Sequence, residues 1–100
     1  MTESGFESRL MRMVEDVPPG HVVSYGDLAR ALGIVPLHVG RLMARAPEHV
    51  PWHRVVGGDG TLRLARRSPH HAALQRRLLE GEGVRFDARG RVAAEFFDET

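Results

Sequence analysis

The sequence predicts a mainly α domain with a small β component, organised around a helix-turn-helix. Three observations predict it. The chain has 100 residues, the size of one domain with a thin burial margin. Several stretches carry apolar residues at helical spacing, and two of them are short and joined by a glycine turn. Between residues 54 and 93, valine-rich runs alternate with glycine turns, which reads as short strands.

Taken in order, "FESRLMRMVEDV" (6–17) places Phe6, Leu10, Met13, Val14 and Val17 on one helical face. "PPG" (18–20) ends that helix. "HVVS" is a short extended entry, Ser24 is an N-cap for a helix over Tyr25 to Leu32, and Gly33 is its C-cap. "VPLHVGRLMARA" (35–46) reads as the next helix, with Pro36 near its first position and Val39, Leu42, Met43 and Ala46 facing inward. Gly40 costs that helix roughly 1 kcal/mol relative to Ala and is expected to mark close packing. "APEHVP" (46–51) is loop, and "RVVGGDGTLRL" (54–64) looks like two short strands around a glycine-rich turn. "HHAALQRRLLEGEG" (70–83) is a helix closed by glycine, and "VRFDARGRVA" (84–93) a closing hairpin.

Net charge is only +1, but it is unevenly placed, and all 14 basic residues are Arg. Arg41, Arg45, Arg54, Arg63, Arg66, Arg67, Arg76 and Arg77 fall in the middle of the chain against Glu48 and Asp59 alone, while both ends are acidic. Arginine suits bidentate phosphate contacts and stacking on bases. A polyanion surface and an ordinary solvated face both fit this distribution. The helix pair is open in the same way: its second helix carries His38, Arg41 and Arg45 on the polar side, as a groove-reading helix would, yet such pairs also occur in proteins that never touch DNA.

Enzyme chemistry finds little support. The sequence has no Cys, hence no thiol nucleophile and no thiolate metal site. In "VPWHRVV", His53 is a candidate general base, but its neighbour Trp52 offers only an N–H donor. A metal site from His49 and His53 would need a helix that Pro51 opposes, and His70 and His71 are adjacent and cannot chelate together. Neither a metal nor a cofactor is expected. Trp52 could be a core residue, or it could hold an unstacked base as aromatic rings beside arginines do. No apolar run approaches a membrane span and no signal-peptide pattern is present, so a cytoplasmic location is expected, at the nucleoid if the source is bacterial.

At this point "VPPGHVVSYGDLARALG", the "VG" of the second helix, "PWHRVV", a glycine turn and "LLEGEGV", falling in that order from about Phe6 to Phe86, resemble the DNA-binding domain of the O6-alkylguanine-DNA alkyltransferases. Those proteins carry Pro-Cys-His-Arg-Val where this chain has Pro51-Trp52-His53-Arg54-Val55. Trp in place of the acceptor Cys, over residues 1–100 as a single domain, is similar to the alkyltransferase-like proteins. The resemblance implies a winged helix-turn-helix that binds the minor groove and rotates O6-alkylguanine out of duplex DNA into a pocket. It implies no alkyl transfer, and hand-off of the lesion to nucleotide excision repair proteins. With it, Tyr25, Trp52, His53, Val55 and Arg66 are the candidates for the pocket, and His38, Arg41 and Arg45 of the second helix, with Arg54 of the basic segment, the candidates for DNA contacts. His53 and Glu82 become a hydrogen-bonded pair left over from the alkyltransferase reaction.

Two departures stand out. Where the family has an intercalating Arg two residues before "VG", this chain has Leu37, an apolar wedge in the same place, with Arg41 about one turn on. Where relatives use an Arg to cover the lesion, strict counting lands on Ala65, and neighbouring Arg66 is the candidate. The alternative function is a winged-helix regulator that binds duplex without recognising a lesion. A monomer is expected, since a lone lesion needs no two-fold symmetry.

Overall fold

The computed structural model describes residues 3–63 and 68–98. Helix α1 spans Glu3–Glu15, and it buries Leu10 and Val14 completely, with Val17 tucked under its end. Strand β1 (Val23–Ser24) runs straight into α2 (Tyr25–Leu32). Ser24 caps that helix by accepting a hydrogen bond from the Asp27 N–H at 3.0 Å, and Gly33 closes it at φ 72°, in the left-handed conformation that glycine adopts without strain.

Helix α3 covers Pro36–Met43, shorter than the expected 35–46. Arg45 and Ala46 continue only as tight turns onto Leu42 and Met43. Pro47 accounts for the stop, because a proline disfavours helical backbone in the residue before it. Helices α2 and α3 therefore form the expected helix-turn-helix, and both pack on α1.

The β expectations need correction. Strand β2 (Val55–Val56) does not form a hairpin with the segment after it; it pairs in parallel with β1, Val23 against Val55 and Ser24 against Val56. Val55 and Val56 are both essentially inaccessible, and only a position between two packed layers covers both faces of a strand. Gly57–Thr61 is a turn closed by the Gly57 N–H on the Thr61 carbonyl at 2.8 Å and docked on the segment after α4, where the Val92 N–H donates to the Gly60 carbonyl at 2.8 Å. The closing hairpin shrinks to one antiparallel bridge, Phe86 to Val92. Its turn is held by Asp87, which accepts from the N–H groups of Arg89 and Arg91.

Alternation along β2 divides the interior. Val55 joins the helical core with Leu10, Leu28, Val39, Leu42 and Val50. Val56 joins a smaller core with Val22, Leu79, Val84 and Val92, closed by Phe86, Phe96 and Phe97. Helix α4 (Pro69–Gly81) supplies Leu79 to that second core. No described helix is long and apolar enough to cross a membrane.

Candidate nucleic-acid interface

Pro51 leads into a 3-10 turn over Trp52–Arg54, and this turn sits where the two cores meet. Gln75, fully buried on α4, holds it from behind by donating to the carbonyls of His53 at 3.1 Å and Val55 at 3.0 Å. In front, Glu82 organises four donors. The carboxylate accepts from His53 Nε2 at 2.7 Å, from Arg54 Nε and Nη2 at 3.1 and 2.9 Å, and from the Gly20 N–H at 3.1 Å. A carboxylate is acceptor-only, so His53 carries its proton on Nε2. Burial pushes the Glu82 carboxyl up, but the hydrogen bonds from Arg54, His53 and Gly20 outweigh it and hold the pKa at about 2.

This geometry corrects one sequence expectation. Arg54 was expected on the DNA face, but its guanidinium is spent inside the protein, two nitrogens on Glu82 and Nη1 on the Val17 carbonyl at 3.0 Å. Its side chain is 13 % exposed. The physical reason is its bidentate match to a carboxylate that would otherwise be buried unpaired. His53 and Glu82 do lie together, but within this larger network rather than as an isolated pair.

Trp52 is half-buried and forms one wall of a cavity of about 410 Å³. Tyr25 from α2, Gly40 and Met43 from α3, Ala44 and Ala46 just after it, and His71 and Leu74 from α4 make up the rest of the described lining. Gly40 does not mark close packing as expected: a Cβ built there meets nothing within 4 Å. It leaves space at the mouth of the cavity on the outer face of α3. Of the expected pocket residues, Tyr25 and Trp52 line this space. His53 lies behind Trp52, its ring edge-on at 6.1 Å. Val55 is 1 % exposed within the core and backs the site instead of lining it, because β2 is sandwiched. Arg66 lies outside the described residues.

Along the same face, Leu37 is 58 % exposed at the start of α3, beside Val35 at 62 %. The two make a small open apolar tip at the start of α3. Arg41 is exposed one turn on, and His38 rests its ring edge-on against Phe6. Arg45 lies apart from these residues. With α3 ended by Pro47, it lines a groove against α1 with Glu7, Arg12 and Glu15, away from the cavity. Sequence reasoning missed Met43, Leu74 and His71 as lining residues and Gln75 as the clamp. Gln75 had a signal, since Ala72, Gln75 and Leu79 share one helical stripe. No cluster of three or more metal-ligating side chains occurs among the described residues.

A helix-turn-helix whose second helix borders an aromatic-walled cavity is the architecture of a DNA-binding domain. The model of the 6-O-methylguanine DNA methyltransferase DNA-binding domain matches residues 5–84, and the chain belongs to that family, in its alkyltransferase-like group. It is 35 % identical over 94 residues to the DNA base-flipping protein of Escherichia coli (strain K12), covering 90 % of this chain and 70 % of that protein. It is 37 % identical over 83 residues to alkyltransferase-like protein 1 of Schizosaccharomyces pombe, covering 79 % and 76 %. Its fold superposes on the crystal structure of S. pombe Atl1 in complex with damaged DNA containing O6-carboxymethylguanine, with a TM-score of 0.85 and 29 % identity over the whole of both chains.

Proposed function

We propose that this chain binds O6-alkylguanine in duplex DNA, rotates it into the Trp52 cavity and leaves the alkyl group in place. The observation that carries the reading is the Trp52 wall itself. An indole stands at the mouth of a cavity beside the second helix of a helix-turn-helix, fixed from behind by Gln75 and the Glu82 network. Base-flipping and damaged-DNA binding in relatives of the same fold support it.

In this reading α3 enters the minor groove with Gly40 allowing close approach, and Leu37 wedges into the stack where the base departed. Arg41 and His38 contact the backbone or the groove edge. Tyr25 crowds the extruded nucleotide and Trp52 offers its face to the base. Aromatic stacking of this kind is worth about 1 to 3 kcal/mol per base. Transfer has no acceptor: the sequence contains no Cys, an indole N–H is not a nucleophile at neutral pH, and the His53 Nε2 proton is committed to Glu82. A lesion that is held but not repaired must be removed by another activity, which fits hand-off to nucleotide excision repair. The chain acts as a monomer wherever the cell keeps its DNA, the cytoplasmic nucleoid if the source is bacterial.

The test is equilibrium binding to two duplexes differing in one guanine, plain or O6-methylated, at matched salt, with the methyl group labelled. The expected result is tighter binding to the methylated duplex with no label moved to protein, and a Trp52→Ala variant that loses this preference while keeping its affinity for plain duplex. Equal affinity of the intact protein for both duplexes would instead indicate a regulator that binds DNA without reading a lesion.

A further inference from the structure

The cavity wall contributed by α4 has a feature that the lesion-binding reading does not use. Helix α4 opens with Ser68 as N-cap and Pro69 in its first turn, which brings His71 to the cavity. The Ser68 hydroxyl accepts from the His71 backbone N–H at 3.3 Å and lies 2.7 Å from His71 Nδ1. That contact tethers the ring through Nδ1 and leaves Nε2 as its other polar atom. The ring stands edge-on to Trp52, 6.4 Å between centroids and 73° between planes. Nε2 has no hydrogen-bond partner among the described residues.

The described groups around His71 are uniformly non-acidic. Helix α2 contributes Tyr25, α3 contributes Gly40 and Met43, the turn after it Ala44 and Ala46, and α4 contributes Leu74. His70 lies beside it with 5.9 Å between ring centroids. His53, beyond the Trp52 ring, is tied to Glu82, and that carboxylate is itself saturated by its four donors. The cavity thus presents a tethered imidazole able to donate from Nε2, with no carboxylate among the described lining residues. An apolar cavity alone would disfavour a buried anion; a tethered imidazole reverses that preference through a charge-assisted hydrogen bond.

We infer that His71 is a specificity-determining residue and that it selects, among O6-substituted guanines, those whose substituent carries a carboxylate. The inference rests on the lesion-binding reading and names the class of lesion this chain favours. His71 is exposed and outside both cores, so replacing it leaves the fold intact.

The experiment compares three duplexes that differ at one base, O6-carboxymethylguanine, O6-propylguanine and guanine, with intact protein, His71→Leu and His71→Gln, at matched salt and pH. Phosphate contacts are common to all three duplexes, so the affinity ratio of carboxymethyl to propyl isolates the substituent. For intact protein the ratio is expected to be about fivefold in favour of carboxymethyl. His71→Leu should bring it to one or below. His71→Gln, which keeps an N–H donor without the charge, should retain part of it. The same ratio in intact protein and His71→Leu would overturn the assignment while the preference of both for lesion over guanine still stood. Loss of that second preference in the intact protein would overturn the lesion-binding reading itself, and this inference with it.

Discussion

Replacing Glu82 by Gln tests the idea that a structural ion network holds Trp52 in place. The carboxyl is held at about 2 against an ordinary 4.5. A depressed carboxyl contributes stability that is fully present above its unfolded pKa and is lost as pH falls through the folded one. The span of about 2.5 units, at 1.36 kcal/mol each, corresponds to about 3 kcal/mol, present above pH 4.5 and lost between there and pH 2. The side chain is only 17 % exposed, so solvent screening removes little of it. At neutral pH the variant also leaves the Arg54 guanidinium largely buried without its counter-charge. The expected loss is therefore about 3 kcal/mol, a fall in Tm of roughly 12 to 24 °C for a domain of this size. The assay is urea denaturation of both proteins from pH 7 down to pH 2. Asp59, held low by hydrogen bonds from Thr61, and Asp87, held low by the backbone N–H of Arg91, lie on the surface of both proteins and drop out of the difference. The reasoning is refuted if Glu82→Gln lies within about 1 kcal/mol of the parent at pH 7, or if both lose the same stability on acidification.

Three further outcomes follow from the geometry. Gly40→Ala should raise stability by roughly 0.8 to 1 kcal/mol through helix propensity, since its Cβ meets nothing within 4 Å, while weakening DNA binding where α3 must approach closely; thermal melts and binding isotherms read the two effects separately. Gly60→Ala should cost about 2 kcal/mol or more in a denaturant melt, because φ is +88° and the new Cβ would stand 2.6 Å from the Val92 carbonyl oxygen. Arg41→Ala should weaken plain and alkylated duplex together and reduce the slope of log K against log salt by about one, whereas Arg54→Ala should show its effect in the melt, as a residue of the Glu82 network.

The helical half of the fold was legible because its signals are local. Ser24 and Gly33 bracket α2, Pro36 opens α3, and the apolar spacing from Phe6 to Val17 describes a single face. The β half was not, because a two-residue strand carries no period. Val55 and Val56 read equally as a hairpin arm or as a buried parallel strand, and only their burial on both sides decides. Within the site, the resemblance marked Trp52, His53 and Glu82 as a set, and the structure brings them together. It could not show that Arg54 completes the network, since an arginine in a basic stretch looks the same facing a phosphate or a carboxylate. Gly40 was misread for a similar reason: a helical glycine signals a missing side chain, and whether a neighbour or empty space fills the gap depends on the tertiary fold. His71 escaped notice because its importance comes from Ser68 turning the ring toward Trp52, a contact between elements.

Trp52 is the sole tryptophan in the sequence, so its fluorescence reports directly on the cavity. Titrating the protein at low salt with duplex carrying one O6-methylguanine should shift or quench that emission along the binding isotherm. The matched plain duplex, at concentrations where it is equally bound, should leave the emission nearly unchanged. The same spectral change with both duplexes, or none with either, would contradict entry of the alkylated base into the Trp52 cavity.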